Sequence, residues 1–215
     1  MNCIICLNGD APSKNLICGY ISKDYKVIAA DGACNYLKKY NISADFIIGD
    51  FDSSCLNDAN DLIKRNGKIF RFNSDKDYTD GQLALKFAIE NGYNNIIIIG
   101  ALGGRVDHEF ENFRLLHSGI NNCNITIAND DCKIFLVYDT VEIKSDIGAT
   151  VSLIPYTDKV TVEFMEGFKY EARNTAFDRL NALGNSGVSN IIINENAKIK
   201  VSEGILMVFL YNNAH

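Results

Sequence analysis

The sequence predicts an α/β domain followed by a small all-β domain, and three observations support this fold class. Apolar runs alternate with amphipathic helical patterns up to about residue 131, as in a parallel sheet covered by helices on both faces. After that point short apolar runs follow one another without helical patterns between them, which is typical of a β-sandwich. Asp-rich segments follow several strands of the first part. We therefore predict a mostly parallel, Rossmann-like α/β/α domain at residues 1–131 and a β-sandwich domain at residues 132–215.

The strands of the first domain are predicted from continuous apolar runs. These runs are Cys3–Leu7, Val27–Ala30, Phe46–Ile48, Lys68–Phe72, Asn95–Ile99 and Ile125–Ala128. Amphipathic stretches near 33–40, 55–66, 80–91 and 108–119 predict the helices between them. The third helix has the clearest limits, because Thr79 is a suitable N-cap and Asn91-Gly92 a suitable stop.

The strands of the second domain are predicted from short apolar runs joined by turns. They are Lys133–Tyr138, Val141–Lys144, Ala149–Pro155, Val160–Phe164, Ser189–Ile193, Ala197–Val201 and Leu206–Tyr211. The stretch Asn174–Leu183 is interpreted as partly helical or as a loop.

The composition predicts a soluble cytoplasmic protein that binds neither nucleic acid nor membranes. The formal net charge is −6 and no run of Lys or Arg offsets it. Seven cysteines without a framework spacing, and no signal peptide, indicate a reducing compartment. No apolar run approaches the ~20 residues that span a bilayer. Asp outnumbers Glu by 18 to 9, and 14 of the Asp lie in residues 1–131, a bias that fits strand-end loops and a metal site.

Four segments place Asp residues where predicted strands end. They are Ala30-Asp31-Gly32, Gly49-Asp50-Phe51-Asp52-Ser53, Asp75-Lys76-Asp77-Tyr78-Thr79-Asp80 and Gly103-Gly104-Arg105-Val106-Asp107-His108. In open α/β sheets the ligand crevice lies at the carboxyl ends of the strands. Carboxylates that converge there suit Mg²⁺ bound with phosphates. The alternative is a purely structural role in helix capping, since Asp, Ser and Thr are all favoured at helix starts.

The fourth segment has the features of a phosphate-binding loop. Its glycines allow phosphate oxygens to approach the backbone before the helix begins, although the Walker A residues are missing. Arg105 is suited to neutralising a transferring phosphoryl group. Asp107 is suited to holding metal, while His108 and Asn112 share a helix face. For His108 a purely structural role is as good an interpretation as a catalytic one.

Taken in order, these segments resemble the thiamine pyrophosphokinase family. The similarity continues through Ser152-Leu153-Ile154-Pro155, Gly167-Phe168-Lys169-Tyr170 and Gly187-Val188-Ser189-Asn190, so it covers essentially the whole chain. The resemblance implies transfer of the β,γ-pyrophosphoryl group of ATP to the hydroxyethyl oxygen of thiamine, with release of AMP. It also implies Mg²⁺ as cofactor, an ATP/Mg-binding catalytic domain, a thiamine-binding sandwich, and a homodimer with sites at the subunit interface.

The resemblance also implies roles for individual residues. The catalytic set is Asp52, Asp80, Arg105 and Asp107, and the metal ligands are a subset of Asp50, Asp52, Asp75, Asp77 and Asp107. The ATP-binding set is Asp31, Asp50, Thr79, Gly103, Gly104, Arg105, His108 and Asn112. The thiamine-binding set is Asp80, Ser189 and Asn190. Either Asp52 or Asp80 would take the hydroxyl proton. The chain has no Trp, so any aromatic partner of thiamine is Tyr or Phe.

Three alternative functions stay open from the sequence. The same transfer to another alcohol, such as a hydroxymethylpterin, would need the same phosphate machinery. A non-catalytic nucleotide-binding module would account for the Gly-rich loop and leave the surplus carboxylates unexplained. A nucleotidyltransferase would attack the α-phosphorus and release pyrophosphate in place of AMP.

Overall fold

The structure is a computed structural model that describes residues 1–49, 55–71, 78–119, 123–181 and 183–212. The chain divides into two compact units, Met1–Asp130 and Asp131–His215. Among the described residues, no helix combines the length and apolar character needed to cross a membrane.

The first unit contains a parallel sheet with helices on both faces. Its strands are β1 (Asn2–Cys6), β2 (Lys26–Ala30), β3 (Ala44–Gly49), β4 (Ile63–Arg71), β5 (Asn95–Ile99) and β6 (Asn124–Ala128). Its helices are α1 (Lys14–Ile21), α2 (Cys34–Tyr40), α3 (Cys55–Leu62), α4 (Asp80–Glu90) and α5 (Val106–Leu115), and a short 3-10 helix covers Asp31–Ala33. The strand order is β6-β5-β1-β2-β3-β4, and each of these pairs is parallel.

Alternate residues of the strands of the first unit point to opposite faces of the sheet, and both faces are buried. On one face, Ile4 and Ala29 pack with Ile17 of α1 and Leu37 of α2. On the other face, α4 packs against β1, β2 and β3. Residues at the carboxyl ends of β1, β2 and β5 are therefore held by a core that is covered on two sides.

The second unit is a sandwich of two antiparallel sheets. Its strands are β7 (Cys132–Val137), β8 (Thr140–Lys144), β9 (Thr150–Pro155), β10 (Lys159–Glu166), β11 (Ala172–Asp178), β12 (Gly187–Ile191), β13 (Asn196–Glu203) and β14 (Leu206–Tyr211). One sheet has the order β12-β9-β14-β7 and the other β11-β10-β13-β8. Inward residues of both sheets, including Leu153, Val162 and the fully buried Phe168, form one apolar core. The predicted fold class is confirmed.

Three elements differ from the sequence prediction. Helix α1 was not predicted, although Leu16, Ile17, Tyr20 and Ile21 form an apolar face against the core; the helix is only eight residues long. Helix α3 ends at Leu62 and β4 begins at Ile63, so the predicted helix near 55–66 is too long. Residues 172–178 form a strand, so the interpretation of Asn174–Leu183 as helix or loop is wrong over that stretch. This strand lies at a sheet edge and is mostly polar and exposed, which hides its alternation.

Candidate active site

A cavity of about 1200 Å³ lies in the first unit, next to the ends of β1, β2 and β5 and the beginnings of α4 and α5. Strand ends and helix N-termini meet here because each strand of a parallel α/β sheet is followed by a crossover. Eight of the residues predicted for the site line the cavity: Thr79, Asp80, Gly103, Gly104, Arg105, Asp107, His108 and Asn112. One cavity thus brings together residues that the sequence separates by up to 33 positions.

The loops that follow β1 and β5 are joined by backbone hydrogen bonds beside the cavity. The amide of Gly9 donates to the carbonyl oxygen of Gly100 at 2.7 Å, and the amide of Asp10 donates to that of Leu102 at 2.7 Å. A Cβ atom on Gly9 would lie 2.3 Å from the Leu102 oxygen, so only glycine permits this approach. The two loops are therefore held together by direct backbone contacts beside the cavity.

The loop after β1 is the part of the cavity that sequence reasoning missed. Asn8 and Gly9 both line the cavity, and Asn8 lies against Gly32, where an added Cβ would come within 2.3 Å of the Asn8 amide. The signal was present as Asn8-Gly9-Asp10 directly after the first apolar run. It was overlooked because one Asp beside one Gly is also an ordinary turn sequence.

The Gly-rich loop after β5 has a left-handed turn at Gly103 and Gly104, with φ angles of +83° and +86°. An added Cβ on Gly103 would collide with the Asp10 carboxyl group, whereas around Gly104 the space is open. The amide of Gly103 donates to the Oε1 atom of Glu109 at 2.6 Å. The loop is therefore fixed at Gly103 and approachable at Gly104, as close contact with a phosphate would need.

Arg105 and Asp107 form an ion pair at the start of α5. The Nε atom of Arg105 donates to Oδ1 of Asp107 at 3.0 Å, and the Nη2 atom donates to Oδ2. The guanidinium lowers the pKa of the Asp107 carboxyl group to about 2, and the same contact raises the pKa of Arg105. Both side chains are largely exposed, at 72% and 63%. They can therefore change partners without moving through a packed core.

The start of α4 forms the opposite wall of the cavity. Thr79 is the N-cap, and its hydroxyl accepts from the amide of Gln82 while the Gln82 side chain accepts from the Thr79 amide. The predicted capping role of Thr79 is confirmed. Asp80 is the first helical residue and lies exposed at the cavity, where the helix N-terminus favours its charge.

Two further predicted residues lie on α5 and differ in exposure. Asn112 is half-buried, and its Nδ2 atom donates to the carbonyl oxygen of Ala101 at 2.8 Å. This bond ties the helix to the loop after β5. His108 is exposed at the cavity, where an imidazole is free to meet a ligand.

Several predicted metal ligands fall beyond the part of the chain that the structure describes. These are Asp50, Asp52, Asp75 and Asp77, and the side chain of Asp31 likewise lies outside the described set. Among the described residues, no three His, Cys, Asp or Glu side chains are gathered as a metal site would need. Cys3 and Cys6 are buried in β1, where desolvation raises the pKa of each thiol to about 12, as expected of core residues.

The second unit places Ser189 and Asn190 on the edge strand β12. The Asn190 side chain is buried, and its Oδ1 atom accepts from the amides of Tyr170 and Ile191 at 3.0 and 2.9 Å. Its Nδ2 atom donates to the carbonyl oxygen of Tyr170 at 2.7 Å. Ser189 is exposed and has a φ angle of +62°, which is unusual for a residue other than glycine. Asn190 thus fixes the backbone of Tyr170.

A smaller cavity of about 260 Å³ lies beside this strand within the second unit. Tyr170 and Asn190 line it, together with Glu171 and Val188. The Tyr170 side chain is 64% exposed, and the Lys169 ammonium lies 5.4 Å from the centre of its ring. The cavity therefore places an exposed aromatic ring, which the Lys169 ammonium approaches, beside the Glu171 carboxylate, which accepts from the Gly167 amide at 3.3 Å.

The first unit has the architecture of an enzyme that transfers a phosphate-containing group from a nucleotide. A Gly-rich strand-to-helix loop and an arginine lie beside carboxylates at the carboxyl edge of a parallel sheet, where such enzymes bind their substrates. Residues 18–127 match the sequence profile described as "Thiamin pyrophosphokinase, catalytic domain". Residues 140–206 match "Thiamin pyrophosphokinase, vitamin B1 binding domain". The chain belongs to the thiamin pyrophosphokinase family.

Individual relatives agree with the family match. Thiamine pyrophosphokinase of Bacillus subtilis (strain 168) is 29% identical over 204 residues, which cover 91% of this chain and 92% of that protein. Thiamine pyrophosphokinase 1 of Oryza sativa subsp. japonica is 28% identical over 180 residues, which cover 79% and 67% of the two chains. The predicted family and the predicted enzyme class are confirmed.

Solved structures share the fold over the full length of the chain. The thiamin pyrophosphokinase of Geobacillus thermodenitrificans has a TM-score of 0.83 at 27% identity, with 100% of this chain and 99% of that chain covered. The Bacillus subtilis enzyme has a TM-score of 0.84 at 24% identity, with both chains covered completely.

Proposed function

We propose that this protein is a thiamine diphosphokinase, which transfers the β,γ-diphosphoryl group of ATP to thiamine and releases AMP. One observation carries the proposal: the catalytic-domain match coincides with the unit that holds the larger cavity, and the vitamin B1-binding match lies in the second unit. A hydroxymethylpterin acceptor and a non-catalytic module are not favoured, because neither accounts for both matches.

The nucleotide binds in the larger cavity of the first unit. The open backbone at Gly104 and the guanidinium of Arg105 take the phosphates, while His108 and Asn112 bind from the face of α5. Thr79 borders the same space from α4. Asp31 and Asp50 complete the nucleotide site in this proposal.

Mg²⁺ fits the chemistry of this cavity. Asp107 offers carboxylate oxygens beside a phosphate-binding loop, and hard oxygen ligands are those that Mg²⁺ prefers. Asp107 would hold the ion together with a subset of Asp50, Asp52, Asp75 and Asp77, as the resemblance implies. The bound ion would neutralise charge on the phosphate oxygens as the group is transferred.

Thiamine is recognised by the second unit and by Asp80. Because Asn190 is buried and its amide is already hydrogen-bonded, it serves thiamine by fixing Tyr170, and the exposed Ser189 is free to contact the substrate directly. Tyr170 supplies the aromatic surface in a chain without Trp, and the carboxylate of Asp80 complements the thiazolium charge.

The transfer is a direct in-line displacement at the β-phosphorus. The hydroxyethyl oxygen of thiamine forms a bond to that phosphorus, the bond to the bridging oxygen of the α-phosphate breaks, and AMP leaves with the bonding electrons. The hydroxyl proton passes to a carboxylate, either Asp52 or Asp80. Arg105 stabilises the charge on the moving group, and positioning supplies most of the rate.

In this proposal residues 1–131 bind ATP and Mg²⁺, and residues 132–215 bind thiamine with the addition of Asp80. We further propose a homodimer with sites at the subunit interface, and a cytoplasmic location where ATP and thiamine are both available. The direct test is to incubate the protein with ATP, Mg²⁺ and either thiamine or a hydroxymethylpterin. AMP and thiamine diphosphate are the expected products; release of pyrophosphate, or turnover with the pterin alone, would refute the proposal.

A further inference from the structure

Glu109 lies next to the phosphate-binding loop without lining the cavity. It is half-buried in the first turn of α5, and its Oε1 atom accepts from the Gly103 amide at 2.6 Å. Its neighbours Asp107 and His108 do line the cavity. Glu109 therefore contacts the loop on the side that faces away from the cavity, and Asp107 and His108 lie on the side that faces it. A carboxylate so close to an anion-binding loop would repel bound phosphates and weaken their binding, unless it also stabilises the conformation of the loop.

The loop needs support on the side of the helix. Gly103 and Gly104 both have φ angles in the left-handed region, a conformation that glycine enters without steric penalty and also leaves readily. The other side is held by the hydrogen bond from the Asp10 amide to Leu102 and by the Asp10 carboxyl group packed on Gly103. On the helix side, the bond from Gly103 to Glu109 joins the loop to α5.

We propose that Glu109 is a positioning residue, whose carboxylate holds the turn at Gly103 and Gly104 so that Arg105 and the open Gly104 backbone face the nucleotide phosphates. The inference rests on the proposed nucleotide site. It assigns Glu109 no contact with substrate and no proton transfer, since Glu109 does not line the cavity.

The test compares three substitutions by measuring the Kd of Mg²⁺-ATP in a calorimeter without thiamine. Glu109→Gln keeps an oxygen at the same reach, so its Kd should stay within about threefold of wild type. Glu109→Asp keeps the charge but is shorter by one methylene, about 1.5 Å. It should bind at least about tenfold more weakly, as should Glu109→Ala; tenfold corresponds to about 1.4 kcal/mol.

The matched control is Glu90→Ala, which removes an exposed carboxylate at the end of α4, where Glu90 lies 3.9 Å from the Lys86 ammonium. This variant should bind ATP as wild type does. In steady-state assays the KM for ATP should rise in Glu109→Asp while the KM for thiamine stays unchanged, a split that a general loss of structure would not give.

The order of the variants decides the outcome. If Glu109→Asp binds ATP normally and Glu109→Gln does not, charge rather than the hydrogen bond is what counts, and the inference is overturned. Wild-type affinity in Glu109→Ala would also overturn it. Failure of the proposed transfer is separable, because a protein that forms no thiamine diphosphate can still show this order in its ATP affinity.

Discussion

Replacing Gly9 with alanine tests whether the cavity wall depends on backbone contact between two loops. The new Cβ would lie 2.3 Å from the Leu102 oxygen and 2.6 Å from the Gly100 oxygen, and both obstacles are main-chain atoms. Restoring a contact of 3.0 Å requires the loops to separate by about 0.7 Å. Each of the two hydrogen bonds, now 2.7 Å long, would then stretch to about 3.4 Å, beyond the normal range.

The cost follows from those two hydrogen bonds. At about 0.5–1.5 kcal/mol each they account for about 1–3 kcal/mol. The alanine restricts the unfolded chain and returns about 0.4–1 kcal/mol, so the net destabilisation should be at most about 2.6 kcal/mol, and about 1–2 kcal/mol towards the middle of these ranges. For a chain of this size that lowers the Tm by about 2–8 °C. Because Gly9 and Gly100 line the cavity, the KM for ATP should rise as well.

The control for Gly9→Ala is Gly19→Ala in helix α1. An added Cβ on Gly19 meets nothing within 4 Å, and alanine is the better helix former, so this variant should gain about 0.5–1 kcal/mol. Urea denaturation and thermal melting of both variants, with ATP kinetics, make the comparison. A Gly9→Ala protein as stable as wild type, with an unchanged KM, would refute the argument.

Three further predictions concern single side chains. Asp107→Asn removes the charge that binds Arg105, so ATP affinity measured in EDTA should rise while kcat with Mg²⁺ falls at least about tenfold. In the wild type the pKa of Asp107 is lowered to about 2, so the ion pair is complete above about pH 4 and is lost only as the pH falls through about 2. The wild-type rate profile should therefore show no step from Asp107 between about pH 5 and 9. Asn190→Ala leaves the backbone groups of Tyr170 unpaired and should lower stability by about 1–3 kcal/mol and raise the KM for thiamine, and a KM that does not change would contradict the positioning role. Phe168→Ala empties a fully buried site and should cost about 3–5 kcal/mol in urea unfolding, with a smaller loss if the core collapses onto the space.

The strand-end rule predicted much of the candidate site from sequence. For β5 and β14 the limits predicted from continuous apolar runs are the same as the observed limits. The residues that follow β5 line the cavity. The same rule could not recover β11, because an edge strand with one buried residue, Phe177, leaves no apolar alternation to detect. Elements that bury little leave little pattern in a sequence.

Contacts that depend on the absence of a side chain are harder to predict than those that a side chain makes. Gly9, Gly32 and Gly103 each allow a close approach whose partner lies in another loop, and none of these partners can be identified from the local sequence. The same limit applies to Asn190, whose similarity to a thiamine-side motif gave no sign that its amide is buried against Tyr170. Local sequence patterns show which residues have groups that could bind a ligand. Only the fold shows which of those groups already form hydrogen bonds within the protein.

The candidate site therefore contains a fixed part and an exchangeable part. The loops after β1 and β5 are fixed to one another by main-chain bonds and glycine contacts, which a ligand cannot easily rearrange. The ion pair between Arg105 and Asp107 is exposed and lies where phosphates and a cation are proposed to bind. Binding of a Mg²⁺–nucleotide complex offers both partners at once, since the guanidinium gains phosphate oxygens and the carboxylate gains the ion. A nucleotide without metal offers phosphate oxygens to Arg105 but no cation to Asp107, and the unpaired Asp107 carboxylate would then repel the phosphates. The pair should for this reason favour the metal complex over the free nucleotide.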